Sequence, residues 1–268
     1  MIFHTLRRAA LMVSSALLLA ACGTTEPAKP ALTVSTEVKN LLWVGNSFFY
    51  YNNSMHGHVG LLLGAAGVRG TRATSATISG SGINWHDLEA HFKPGGVASY
   101  SFVGDNEVRF NTFDKPFDGV MMMDCSQCPV HPQLSSVFHD TVRKHAQTLV
   151  KAGVKPVLFM SWAYKDKPEM TAQLAEQYTL AANANDAFVV PAGLAFAKAI
   201  AKDRTVELYI ADKRHPSLAG TYLATCTVYA ALFGKSPVGL SYTAGLSAEL
   251  ATMLQTAAWE ATQEYFKP

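Results

Sequence analysis

The sequence lacks a surplus of either charge, and it lacks the common nucleotide- and metal-binding motifs. Its 268 residues include 22 Lys and Arg against 20 Asp and Glu. This balance favours neither a nucleic-acid partner nor a disordered acidic chain. There is no P-loop, no G-x-G-x-x-G and no H-E-x-x-H, so we expect no metal and no nucleotide cofactor.

Cysteine is also scarce in this chain. Four cysteines are present, and C-x-x-C occurs once, at Cys125-Ser126-Gln127-Cys128. A zinc site of the finger type needs a second pair of ligands, which the sequence does not supply. We therefore expect a structural disulfide or buried free thiols, rather than a metal site or a redox centre.

The apolar run near the N terminus is short. Residues 9–20 follow Arg7 and Arg8, and the run is too short for a comfortable membrane span. The next residues, Leu19-Ala20-Ala21-Cys22, resemble the lipobox of bacterial lipoproteins, in which the cysteine carries the lipid. We therefore predict lipidation of Cys22. The alternatives are an ordinary secretory signal and a short anchor helix.

Three segments follow from this interpretation. Residues 1–22 are the signal peptide, 23–38 a flexible tether with Pro27 and Pro30, and 39–268 one folded domain. Removing the leader takes away two arginines and no acid, which leaves 20 basic and 20 acidic residues. We expect an exported protein that is anchored to a membrane on its periplasmic or cell-surface side.

Apolar segments of two kinds alternate along residues 39–268. Short continuous apolar runs are typical of buried parallel strands, and runs with helical spacing lie between them. The strand-like runs are 40–44, 120–123, 156–162 and 187–190, and the helix-like runs are 55–66, 135–152, 170–184, 217–233 and 248–266. This alternation predicts a three-layer α/β/α fold with a central parallel sheet. In such folds the chemistry gathers beyond the carboxyl ends of the strands.

Two short segments carry the residue types of an activated serine. Near the start, an apolar strand ends in Gly45-Asn46-Ser47, which predicts a tight turn with an exposed hydroxyl. Near the end, Asp212 precedes His215 by three residues. This spacing suits a general base and the carboxylate that orients it. We predict Ser47 as nucleophile, His215 as base and Asp212 as orienting group. The alternative for Ser47 is a plain helix N-cap.

These motifs are similar to those of the SGNH (GDSL-type) hydrolase superfamily. Gly45-Asn46-Ser47 resembles a subgroup with Asn where the parent motif has Asp, and Asp212-x-x-His215-Pro216-Ser217 resembles the terminal motif. The resemblance implies a flavodoxin-like hydrolase domain over 39–268. It also implies an oxyanion hole, to which we assign the Ser47 amide and the Gly82 amide. We expect Ser217 to be only the cap of the following helix.

The chain departs from the superfamily pattern at the third oxyanion donor. This donor is usually an asparagine side chain after the third strand, and the segment from Val120 to Gln127 contains none. We assign the role to Gln127, with Ser126 as the alternative. Losing one such donor typically lowers the rate by about a hundred- to a thousandfold.

The predicted function is that of an exported serine esterase which hydrolyses short acyl esters through an acyl-enzyme. The resemblance implies a small-molecule or glycan ester as substrate, with carbohydrate O-acetyl groups as one class. Two alternatives stay open: an acyltransferase on the same triad, and a non-catalytic carbohydrate-binding surface protein. The missing asparagine favours the second of these alternatives.

Overall fold

The computed structural model describes residues 27–32, 38–93, 96, 100–111 and 117–267. The predicted signal peptide and Cys22 lie outside these residues, as does most of the predicted tether. Two described residues of the tether, Lys29 and Ala31, exchange hydrogen bonds with the Asn183 side chain at 2.8 Å each. Val38, its last residue, is already buried in the core.

Among the residues that the structure describes, five strands form a parallel central sheet. Two further strands form a separate antiparallel hairpin. The strands are β1 (Asn40–Gly45), β2 (Arg72–Thr77), β3 (Tyr100–Gly104), β4 (Glu107–Phe110), β5 (Gly119–Met122), β6 (Lys155–Phe159) and β7 (Phe188–Val190). The central sheet has the order β2-β1-β5-β6-β7, and β3 pairs with β4. The chain runs from β1 to its neighbour β2 and then crosses to β5 on the other side of β1. In flavodoxin-like sheets, ligands bind in the crevice at this reversal of strand order, which here lies between β1 and β5.

Helices cover both faces of this sheet. They are α1 (Ser47–Tyr50), α2 (Met55–Ala65), α3 (Leu88–His91), α4 (Ser135–Lys151), α5 (Met170–Asn183), α6 (Ala192–Lys202), α7 (Leu218–Phe233) and α8 (Ala248–Tyr265). Alternate residues of β1, β5, β6 and β7 enter two separate apolar clusters. Trp43 and Met121 pack with α2, α6, α7 and α8, whereas Leu42 and Val120 pack with α4 and α5. The predicted three-layer α/β/α architecture is therefore confirmed.

Helix α7 is buried along most of its length. Fourteen of the residues of α7 are buried, so this helix has no polar face and is covered from all sides. Within the described part of the chain, no helix combines the length and the apolar character needed to cross a membrane.

Candidate active site

Ser47 lies directly beyond the carboxyl end of β1, at the crevice between β1 and β5. Asn46 is the N-cap of α1, and its side-chain oxygen accepts a hydrogen bond from the Phe48 amide. Ser47 is thus the first residue of the helix and not its cap, so its hydroxyl is available for another partner. Gly45 is required here because a Cβ would lie 2.9 Å from the Phe49 ring.

The structure brings Ser47, His215 and Asp212 together. Ser47 Oγ lies 2.8 Å from His215 Nε2, and His215 Nδ1 lies 2.5 Å from Asp212 Oδ2. An ionised carboxylate only accepts hydrogen bonds, so Nδ1 of the neutral ring donates to Asp212. Nε2 is then left to accept the hydrogen of the Ser47 hydroxyl. This is the arrangement that general-base activation of a serine requires.

The turn that carries His215 is ordered by Asp212 itself. Oδ1 of Asp212 accepts hydrogen bonds from the amides of Arg214 and His215, at 2.9 Å each. Burial raises the pKa of Asp212, but the hydrogen bonds from the His215 ring and from these two amides outweigh it. The pKa of Asp212 therefore lies below its ordinary value. Lys213, which lies between Asp212 and Arg214, has a left-handed φ of 64°.

Neighbouring segments hold this turn and its imidazole. Trp162 Nε1 donates to the Arg214 carbonyl at 2.9 Å. Tyr51 stacks on the His215 ring with a centroid distance of 4.4 Å, and the Phe48 ring meets it edge-on at 5.2 Å. Ser217 caps α7, as predicted, by accepting the Gly220 amide. The imidazole therefore has a fixed orientation as well as a fixed tautomer.

The loop after β2 presents Gly82 to the same crevice. Among the residues that the structure describes, the Gly82 amide donates to no other group, although the residue is buried. A Cβ at Gly82 would lie 2.6 Å from Asn84 Oδ1 and 2.7 Å from Asp124 Oδ1. Only glycine fits this position, and its free amide suits the predicted oxyanion donor.

Asn46 ties this loop to the nucleophile. Its Nδ2 donates to the Ser81 carbonyl at 2.9 Å and to the Asp124 carbonyl at 3.2 Å. One buried side chain thereby joins the ends of β1, β2 and β5. These distant partners of Asn46 cannot be inferred from its neighbours in the sequence.

Asp124, at the end of β5, holds the Gly82 loop from the other side. Its Oδ1 accepts the amides of Ile83 at 2.9 Å and Cys125 at 2.8 Å. Burial raises the pKa of Asp124 to about 6, although these two hydrogen bonds act in the opposite direction. The sequence pattern alone did not predict this role of Asp124. The available signal was a carboxylate that directly follows a fully apolar strand.

Two histidines also support the Gly82 loop. His145 Nε2 lies 3.0 Å from the Ile83 carbonyl, and His86 Nε2 lies 3.2 Å from the Gly45 carbonyl. Burial lowers the pKa of both groups. Because a carbonyl oxygen only accepts, each ring donates to its carbonyl through Nε2. Neither contact was predicted from the sequence.

The segment after Asp124 contains a disulfide and no asparagine. A disulfide joins Cys125 to Cys128, which agrees with one of the two expectations for this pair. Ser126 Oγ is engaged with the Tyr164 hydroxyl at 2.7 Å. Gln127 is exposed, and its side chain contacts no polar partner within the described residues. Its role as third oxyanion donor stays a prediction.

A cavity of about 220 Å³ opens beside the Gly82 loop. Its wall includes Asn84, Asp124 and the Cys125–Cys128 disulfide, and Trp85 is 62% exposed at this cavity. Two further aromatic residues, Trp162 and Tyr164, are buried. No cluster of potential metal ligands occurs in the part of the chain that the structure describes.

The fold is the three-layer α/β/α fold predicted above for SGNH hydrolases, and solved structures share it. A DUF4886 family protein from Bacteroides uniformis is similar at 19% identity and a TM-score of 0.63, over 85% of this chain and 95% of that one. An acetylxylan esterase from Geobacillus stearothermophilus has 16% identity and a TM-score of 0.51, over 75% and 96% of the two chains. A psychrotrophic esterase from Pseudoalteromonas sp. has 13% identity and a TM-score of 0.51, over 73% and 97%.

These likenesses concern the fold. No protein-family model and no curated protein matches the sequence. Catalytic mutants of the acetylxylan esterase replace one serine, one aspartate and one histidine, and that histidine lies three positions after the aspartate.

Proposed function

We propose that this protein is a serine ester hydrolase that cleaves short acyl esters. The observation that carries the proposal is the chain of contacts from Ser47 Oγ through His215 to Asp212. Asp212 and His215 also have the spacing of the aspartate and histidine replaced in the acetylxylan esterase mutants. We propose carbohydrate O-acetyl esters as substrates because Trp85 offers an exposed flat ring beside the cavity.

The first half of the reaction forms an acyl-enzyme. Ser47 Oγ attacks the ester carbonyl carbon while its proton passes to His215 Nε2. The carbonyl electron pair moves onto oxygen, where the amides of Ser47 and Gly82 stabilise the negative charge. When the carbonyl re-forms, the bond to the alcohol oxygen breaks. His215 gives its proton to that oxygen, and the alcohol leaves.

The second half releases the acid. His215 takes a proton from water as the water oxygen attacks the acyl carbon, and the same amides stabilise the charge. The bond to Ser47 Oγ then breaks, and His215 returns the proton to Ser47. Ester and water are consumed, and acid and alcohol are formed. Asp212 stays ionised throughout and keeps Nδ1 protonated.

We further propose that the enzyme works outside the cytoplasm while held to a membrane by a lipid on Cys22. The signal-peptide and lipobox resemblance supports this placement. The mature chain has equal numbers of basic and acidic residues, which suits a neutral ester as substrate.

The test compares wild type with Ser47→Ala in the hydrolysis of p-nitrophenyl acetate and acetylated xylo-oligosaccharides. We expect Ser47→Ala to lose at least about a thousandfold in kcat, and a fluorophosphonate to label wild type at Ser47. Ser247→Ala is the matched control, because Ser247 caps α8 far along the chain. Equal hydrolysis by wild type and Ser47→Ala would contradict the esterase proposal and favour the non-catalytic binding protein. Faster acyl transfer to an added sugar than to water would identify an acyltransferase.

A further inference from the structure

The two halves of the candidate active site come from opposite ends of the domain. Ser47 and His215 are separated by 168 residues, yet their reacting atoms lie 2.8 Å apart. An error of about 1 Å between such groups can lower a rate by about a hundredfold. Contacts that join the two segments directly are therefore part of the site.

Asn52 makes such a contact through its side chain. It follows α1, the helix that begins with Ser47. Its Nδ2 donates to the carbonyl of Pro216 at 3.0 Å and to Thr221 Oγ1 at 2.8 Å. Pro216 directly follows His215, and Thr221 lies in the first turn of α7. Both amide hydrogens of Asn52 are therefore used to hold the segment that carries the base.

The main chain of Asn52 is anchored as well. Its φ is 53°, in the left-handed region that Asn tolerates better than most residues. His58 Nε2 lies 2.6 Å from the Asn52 carbonyl, and His58 Nδ1 lies 2.6 Å from the Tyr242 hydroxyl. Because a carbonyl oxygen only accepts, Nε2 donates and Nδ1 accepts from Tyr242. Asn52 is thus fixed to α2 while its side chain reaches across to Pro216.

The adjacent Asn53 lacks these contacts. It has nearly the same backbone conformation, with a φ of 64°. Its side chain is exposed and has no polar partner among the residues that the structure describes. Asn53 therefore serves as an internal comparison for any effect of substituting a left-handed asparagine in this segment.

We propose that Asn52 is a positioning residue that sets the distance between Ser47 and His215. It touches neither reacting atom and acts through the Pro216 carbonyl. Tyr51, its neighbour, orients the imidazole by stacking on it, so one dipeptide contacts both the His215 ring and the backbone of the residue that follows it. This inference rests on the proposed esterase function.

The test uses four variants, Asn52→Gly, Asn52→Asp, Asn53→Gly and Asn53→Asp. Glycine keeps the left-handed backbone and removes the side chain. Aspartate keeps its size but places an acceptor against the Pro216 carbonyl. We expect both Asn52 variants to lose about tenfold to a hundredfold in kcat with unchanged KM. The Asn53 variants keep the wild-type kcat.

Each rate is expressed per active site, counted by labelling to completion with a fluorophosphonate, so that unfolded protein does not enter kcat. If the Asn52 and Asn53 variants have equal kcat per labelled site, the positioning role is wrong. The same holds if Asn52 variants raise KM and leave kcat unchanged. Failure of the esterase proposal is distinct, because wild type itself then shows no hydrolysis that depends on Ser47.

Discussion

Asp212 and Asp124 lie on the two sides of the candidate active site, and each accepts hydrogen bonds from two main-chain amides. Their pKa values nevertheless move in opposite directions. Asp212 is partly exposed and receives a further hydrogen bond from the His215 ring. Asp124 is only 4% exposed, and its two amide bonds do not offset the loss of hydration. The first carboxylate is suited to remain ionised beside a base, whereas the second supports a loop at a cost in stability.

The two sides also differ in how far apart their parts lie in the sequence. Asp212 contacts groups within three residues of itself. Asp124 contacts Ile83, which is 41 residues away. The base side, which contains Asp212 and His215, is therefore a local turn. The oxyanion side, which contains Gly82 and Asp124, is assembled from three strand ends. Substitutions on each side test whether this difference governs catalysis and stability separately.

The largest effect is expected for Asp212→Asn. The asparagine amide can present its NH₂ group to Nδ1, which favours the tautomer with the hydrogen on Nε2, and that nitrogen then no longer accepts the Ser47 proton. We expect kcat for p-nitrophenyl acetate to fall by about a thousandfold or more. Asp203→Asn is the control, since Asp203 also accepts hydrogen bonds within its own loop, from Thr205. Comparable rates for the two variants would remove Asp212 from the mechanism.

A smaller effect is expected for Gly82→Ala. The φ of Gly82 is −86°, so alanine meets no backbone strain, but its Cβ would collide with Asn84 and Asp124. The loop must shift, and with it the free amide, so kcat should fall by about a hundredfold. Gly80→Ala is the comparison: Gly80 has open space around it but a φ of 71°. We expect that variant to lose about 1 kcal/mol of stability, and little kcat. The reverse pattern in kcat would assign the donor to Gly80.

The base side could be predicted from the sequence, whereas the oxyanion side could be predicted only in part. Periodicity of the apolar runs was sufficient for the sheet and the helices, because burial on both faces of a parallel sheet leaves continuous apolar strands. Asp212 and His215 were found because they share one turn. The bracing by Asp124 was missed, since its partners come from another strand end. Likewise, nothing near Asn52 in sequence indicates the carbonyl of Pro216.

The smallest effect on kcat is expected for Asp124→Asn, whose main consequence concerns stability. The pKa of Asp124 rises from 3.8 to about 6 on folding, so between about pH 4 and pH 6 the folded protein binds more protons than the unfolded chain. Its contribution to stability therefore falls as pH rises through this window. Above pH 6 the charged carboxylate costs up to roughly 3 kcal/mol.

Asparagine at position 124 keeps an oxygen that accepts the Ile83 and Cys125 amides and removes the charge. We expect thermal unfolding to show a higher Tm than wild type at pH 8, with the advantage shrinking as pH falls towards 4. Asp118→Asn is the matched control for the lost charge, because Asp118 also accepts two amides, those of Lys39 and Asn40. A constant difference between Asp124→Asn and wild type across this range would contradict the burial of a charged carboxylate. A Tm difference that grows with pH would show that the charged Asp124 on the oxyanion side lowers stability, whereas Asp212 on the base side does not.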